Sequence, residues 1–222
     1  MRFSLMILTV LPTLLISPPT FALPNPPTPN QLLPRTTDTI TVITSLVGVG
    51  LKGINLDKAV RSFTPDGVNE IRARSLDLEH SLDQAQSTAK SVEKLDALSS
   101  NIIAGICTPL KPLFSDLLKA ISDKVHPLPP RWIASGGDSI DAVQRSEFFA
   151  AKYGDDMLKT LISLRIRSRA LALTVKFITM ELDGAYILFL EDLVDKQYEL
   201  VIEEYKKNKG DDGDDDKEGE SV

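Results

Sequence analysis

The sequence predicts an all-α fold: a single bundle of about five helices, some of them long and amphipathic. Three observations carry this. Small or apolar residues recur at alternating spacings of three and four over two long stretches. No segment alternates apolar and polar residues over a convincing strand length. Cys107 is the only cysteine in 222 residues, so no internal disulfide can form and stability has to come from packing.

In chain order, residues 1–22 read as a secretory signal peptide. Arg2 supplies the positive charge, Leu5 to Ile16 the short apolar core, and Thr20-Phe21-Ala22 the small residues at a cleavage site. Pro12, Pro18 and Pro19 argue against a buried helix there. The run is shorter than the ~20 apolar residues of a membrane span, and no second stretch is expected to serve as one. Residues 23–34, with five prolines in twelve positions, form an extended linker. Residues 35–207 make the helical bundle domain, and residues 208–222 an acidic, disordered, solubilising tail.

Within the bundle, Thr39–Ser62 places Ile40, Ile43, Val47, Leu51 and Ile54 at helical spacing, softened by Gly48, Gly50 and Gly53. Its first part, Thr39–Leu46, is β-branched and is the best strand candidate in the chain. Thr64-Pro65 reads as an N-cap with proline in the first helical position. From there Val68, Ile71, Ser75, Leu78, Leu82, Ala85, Ala89 and Val92 form a heptad seam. No glycine or proline interrupts Val68 to Leu98, which predicts one helix ~45 Å long. Asn101–Val125 carries Ile102, Ile106, Leu110, Leu113, Leu117 and Ile121, with Pro109 and Pro112 marking a kink or fresh start. His126–Asp138 is a proline- and glycine-punctuated loop, with Asp138 as a plausible N-cap. Asp155-Asp156 helps to start a helix whose seam is Leu161, Leu164, Ser168, Leu171, Val175, Ile178, Leu182, Ala185 and Phe189, with a break at Asp183-Gly184. The last helix carries Tyr186, Phe189, Leu193, Leu200 and Ile202 out to about Tyr205.

Charge excludes one class of partner. Formal net charge is −6, and the last thirteen residues hold seven of the acids. Residues 23–209 balance 23 basic against 24 acidic residues, so nucleic acid is not expected as a partner. Catalytic, metal and cofactor residues are expected to be none. Gly48-Val49-Gly50-Leu51-Lys52-Gly53 matches G-x-G-x-x-G, but no second strand ending in an acid follows it, so it reads as a glycine-softened helix. His80 and His126 have no spacing that makes a zinc site with one cysteine. Cys107 reads as a buried small hydrophobe. Trp132 packs over a bundle end or stands exposed as an interfacial contact.

The order of parts resembles the fungal hydrophobic surface-binding protein A family, which includes the cell-wall galactomannoproteins. The resemblance rests on Arg35-Thr36-Thr37-Asp38-Thr39-Ile40, a Phe63-to-Gly67 turn before a helix rich in Ala, Ser and Asp, and Leu110-Lys111-Pro112-Leu113 followed by Leu117-Leu118. It closes on Val194-Asp195-Lys196-Gln197-Tyr198 and Ile202-Glu203-Glu204-Tyr205, and covers roughly residues 35–206. The acidic tail stands where that family has a Ser/Thr-rich tract. The resemblance implies a secreted, cell-wall or extracellular helical bundle that adsorbs to hydrophobic surfaces or binds fatty-acid-like lipids, and it transfers no site residue.

The residues themselves support the same expectation. Amphipathic helices without disulfides can part, and small seam residues (Ser75, Ala85, Ala89, Ser168) leave room near Leu78, Leu82, Leu171 and Val175, the expected lipid-lining set. The alternative is a secreted interaction protein with a protein partner.

Overall fold

The β-branched run Thr39–Leu46 is helical in the computed structural model of the protein, inside α1 (Leu32–Arg61). The structure describes residues 32–125, 148 and 152–210, and the side chains of all these except 32–37, 65 and 208–210. The expected signal peptide, His126, Trp132, the Asp138 cap and residues 211–222 of the expected tail therefore lie outside the described residues, while residues 32–34 of the expected linker and 208–210 of the expected tail are helical. Among the described residues there are six α-helices and one 3-10 turn and no strand, which bears out the all-α class.

Burial decides how α1 is used. β-Branching lowers helix propensity by only tenths of a kcal/mol. Burying Val42, Leu46, Val49, Leu56 and Val60 contributes about 1.5–3 kcal/mol each. With buried Thr39 and Gly53 these residues make a full heptad seam. The face expected from the sequence was the wrong one: Ile40 and Leu51 are half or more exposed. Apolar residues surround this helix, so periodicity alone could not choose a face. Gly53 marks the correct one, since a Cβ there would lie 2.6 Å from Leu113 Cδ2, and the glycine admits the neighbouring helix closely. Asp38–Arg61 is also long and apolar enough to cross a bilayer, contrary to the sequence expectation. Its buried seam gives it a place in the bundle core.

Thr64 stands in extended backbone ahead of a 3-10 turn, Pro65–Gly67, and makes no side-chain cap bond. α2 (Val68–Lys90) follows, with the predicted seam positions Ile71, Ser75, Leu78, Leu82, Ala85 and Ala89 all buried. It does not run on to Leu98. The chain turns after Lys90, and α3 (Ala97–Cys107) starts afresh, because the Asp96 carboxylate accepts the Ser99 N–H at 2.8 Å as an N-cap. The break turns Leu95 into the core, and its N–H donates to the Ile178 carbonyl at 2.7 Å.

α4 (Leu110–Asp123) is the fresh start that Pro109 and Pro112 announced. Pro112 falls in the first turn, where its missing N–H had no helical acceptor. α5 (Gly154–Ile178) begins with Asp155 and Asp156 in its first turn, at the positive end of the helix dipole. α6 (Glu181–Gly210) follows after Thr179 and Met180.

The second seam holds through Ile178 and then fails. Leu182 is 85% exposed and Phe189 57%. The chain reverses at Thr179-Met180, four residues before the expected break, and the register restarts. Ile187, Glu191, Val194, Tyr198, Val201, Ile202 and Tyr205 form the buried face of α6 instead. Gly184 is no break. It sits in the first turn of α6, where a Cβ would lie 2.9 Å from Lys176 Cγ and 3.1 Å from the Lys176 carbonyl oxygen.

Polar ties trace a closed ring of helices. Lys52 on α1 bonds Asp77 on α2 at 3.0 Å. Arg72 on α2 reaches Asp156 on α5 at 2.5 Å, and Arg167 on α5 bonds Asp83 on α2. Arg165 on α5 clasps Asp195 on α6. Ser122 on α4 donates to Glu204 on α6 at 2.7 Å. Arg61 on α1 donates to the Asp116 carbonyl of α4 at 3.3 Å and closes the circuit. α3 is held against α6 by Ser100, which donates to Asp183 at 2.5 Å and accepts from the Met180 N–H at 2.7 Å.

Candidate functional site

The ring leaves room at its centre. A cavity of about 80 Å³, partly open to solvent, is walled by every one of the six helices. α1 contributes Leu46 and Val49, α2 Leu82, α3 Cys107, and α4 Leu110, Lys111 and Phe114. α5 contributes Ser168, Leu171, Ala172 and Val175, and α6 contributes Ile187, Leu190, Glu191 and Val194. The space is small, and its lining is overwhelmingly hydrocarbon.

Of the four expected lining residues, Leu82, Leu171 and Val175 border this space. Leu78 does not: it lies one turn before Leu82 and is fully buried in close-packed core. Ser168 borders the cavity, as its small size suggested. Ser75, Ala85 and Ala89 do not; they are buried seam residues that let helices approach. The walls from α1, α3, α4 and α6 were not foreseen, because single-helix periodicity does not say which helices meet.

The exceptional residue of the lining is Glu191. It is 9% exposed, and its Oε1 has no hydrogen-bond partner. Burial in this apolar setting, reinforced by the charge of Asp195, raises its carboxyl from the ordinary 4.5 to about 7. Arg169 and Arg165 on α5 oppose that rise. Nothing in the sequence flagged Glu191 beyond its falling where α6 repeats apolar residues. Cys107 is buried as expected, and desolvation pushes its thiol up to about 12, so at neutral pH it is a small apolar wall.

Between α4 and α6 runs a second, open groove of about 460 Å³, lined by charges of both signs including Lys119, Lys207, Glu203 and Glu204. His80 is exposed on α2. Among the described residues no three His, Cys, Asp or Glu side chains gather as metal ligands. The G-x-G-x-x-G run lies inside uninterrupted α1, so it forms no phosphate-binding turn.

No protein-family model matches the chain, and no curated protein matches it. Solved structures do share its architecture, which defines the class as a helical bundle around an apolar centre. One is AfMP4p in complex with palmitic acid, with TM-score 0.65, 21% identity, and coverage of 75% of this chain and 99% of that one. Another is ligand binding domain 1 of the Penicillium marneffei MP1 protein complexed with arachidonic acids (TM-score 0.63, 11% identity, 76% and 98% covered). Domain 2 of the same protein, also with arachidonic acids, gives 0.61, 9% identity, and 74% and 92%. What is shared at these identities is the fold.

Proposed function

We propose that this protein is a secreted, non-enzymatic binder of long-chain lipids that takes up the hydrocarbon chain at the central cavity, which its disulfide-free helices enlarge by parting. The carrying observation is that cavity, walled by hydrocarbon from all six helices. Apolar surface open to water is costly at ~25 cal/mol per Å², and an acyl chain removes that cost on both sides. The palmitic and arachidonic acids in structures of the same fold support the reading. So does the lining, which offers one isolated carboxyl rather than a converging set of acid, base and nucleophile. The test is displacement of a fluorescent acyl probe by a fatty acid. Saturable binding that Ala172→Phe weakens at least tenfold (~1.4 kcal/mol) is expected. Absence of saturable binding, or equal binding by the filled variant, overturns it.

A second mode, adsorption to a hydrophobic surface, rests on apolar stripes left in water. Ile162, Ile166, Leu173 and Phe177 follow one face of α5, and Leu182, Tyr186 and Phe189 one face of α6. Adsorption to hydrophobic beads that Phe177→Ser with Leu182→Ser abolishes supports this mode; unchanged adsorption refutes it. Capture of a specific protein by the same stripes, independent of lipid, marks the alternative reading as an interaction protein. Membership of the hydrophobic surface-binding protein A family, and a cell-wall or extracellular location, belong to the same proposal. Recovery of the chain from culture medium or wall extracts, starting at Leu23, tests the location.

A further inference from the structure

Resting on the lipid reading, the geometry points to Glu191 as the anchor of the ligand's head group, through one shared proton. Oε1 is desolvated and lacks a partner, and Glu191 borders the cavity, so the site offers a carboxyl with one unmade hydrogen bond. A buried polar atom left unsatisfied costs about 1–3 kcal/mol, which a ligand group of the right kind removes. A long-chain alcohol satisfies it by donating its O–H to Oε1. A fatty acid satisfies it while a single proton lies between its carboxyl and that of Glu191. A methyl ester has no proton to offer. No covalent bond forms or breaks.

The surroundings decide what happens when that proton leaves. On α6, Asp192 and Asp195 are acidic neighbours of Glu191, and its charge is also felt by Tyr198, whose buried hydroxyl has no partner. From α5, Arg165 and Arg169 act on it with the opposite sign, but Arg165 is already clasped to Asp195 and Arg169 lies 3.5 Å from the same carboxylate. From α4, Lys111 borders the cavity. From α1, α2 and α3 the walls are Leu46, Val49, Leu82 and the neutral thiol of Cys107. With Arg165 and Arg169 drawn to Asp195, an ionised Glu191 facing an ionised fatty acid sets two like charges in a mostly hydrocarbon lining, against the single positive charge of Lys111. The cavity therefore takes alcohols throughout the neutral range, holds fatty acids in mildly acid solution and releases them in alkaline solution.

The experiment is probe displacement by dodecanoic acid, 1-dodecanol and methyl dodecanoate at about pH 5.5 and about pH 8.5, on the wild-type chain, Glu191→Gln and Glu191→Leu. In the wild type, the alcohol is expected to bind roughly tenfold more tightly than the ester at about pH 8.5, where the ionised Glu191 only accepts, and by a smaller margin at about pH 5.5, where its own proton can reach the ester carbonyl. The acid is expected to weaken about tenfold on going alkaline, with Glu191→Gln removing most of that pH dependence. Glu191→Leu is expected to erase the preference for alcohol over ester. Binding by all three lipids that ignores both pH and residue 191 overturns the anchor and leaves lipid binding standing. Failure of every lipid to bind overturns both.

Discussion

Arg165 on α5 clasps Asp195 on α6 with two parallel hydrogen bonds, Nε to Oδ1 at 2.6 Å and Nη2 to Oδ2 at 2.8 Å. The two side chains are 25% and 11% exposed, so this pair works in a drier setting than the surface pairs of the bundle. Removing one partner leaves the other only its second contact, Glu199 at 2.5 Å for Arg165 and Arg169 at 3.5 Å for Asp195. Asp195→Ala and Arg165→Ala are each expected to cost about 2–3 kcal/mol, with the double variant costing clearly less than the sum. Urea unfolding of the four proteins measures the coupling, and strict additivity would show that the clasp contributes nothing.

Two carboxyls one helical turn apart respond to acid in opposite directions. The hydrogen bonds from Arg165 hold Asp195 below the ordinary carboxylate range, so its contribution is present above its unfolded pKa and lost as pH falls through the lowered folded value. Glu191 is raised to about 7, so the folded state binds its proton more tightly than the unfolded chain does. Stability from Glu191 is full below about 4.5 and is lost as pH rises toward 7, by an amount on the order of 3 kcal/mol. The melting temperature should therefore peak in mildly acid solution. Glu191→Gln should flatten the descending limb between about pH 4.5 and 7. A wild-type melting temperature that is level over that interval would contradict the assignment.

The glycines of α3 and α6 invite opposite substitutions. Gly105 is exposed in the interior of α3, and an added Cβ meets nothing within 4 Å. Gly105→Ala should stabilise by about 0.5–1 kcal/mol through backbone entropy alone. At Gly184 the added carbon meets the Lys176 carbonyl oxygen at 3.1 Å and Thr179 Oγ1 at 3.2 Å. Gly184→Ala should destabilise by roughly 1–3 kcal/mol, because backbone has to move. Chemical denaturation of the pair reads both signs.

Cys107 should behave as part of a wall. Its burial and raised pKa predict that iodoacetamide at about pH 8 modifies the folded protein at least tenfold more slowly than the urea-unfolded chain. Because Cys107 borders the cavity, a saturating fatty acid should slow the reaction further. Mass spectrometry of timed aliquots follows it, and equal rates folded and unfolded would refute the burial.

The class of the fold and the seam of α2 were legible in the sequence because a heptad pattern carries its own register. Each misreading came at a point where tertiary contact overruled local pattern. Val92 continued the spacing of α2, but Asp96 caps a new helix and Leu95 is tied to Ile178. Leu182 and Phe189 continued the spacing of α5, but the reversal at Thr179-Met180 resets the face, and two acids, Glu191 and Asp195, disguise the true one. Three of the four expected lining residues border the cavity, since they lie where α2 and α5 face inward. Glu191 was hidden because a charge inside an apolar period reads as noise until its surroundings are known.

The cavity has no single owner. Each of the six helices lends it a wall, so its shape is a property of the assembled circuit and of no one segment. A fragment that drops any one rod loses part of the wall and, with it, the packing that holds its neighbours. The enclosure is thus all-or-none in this architecture: the hollow exists only while the whole hoop is closed.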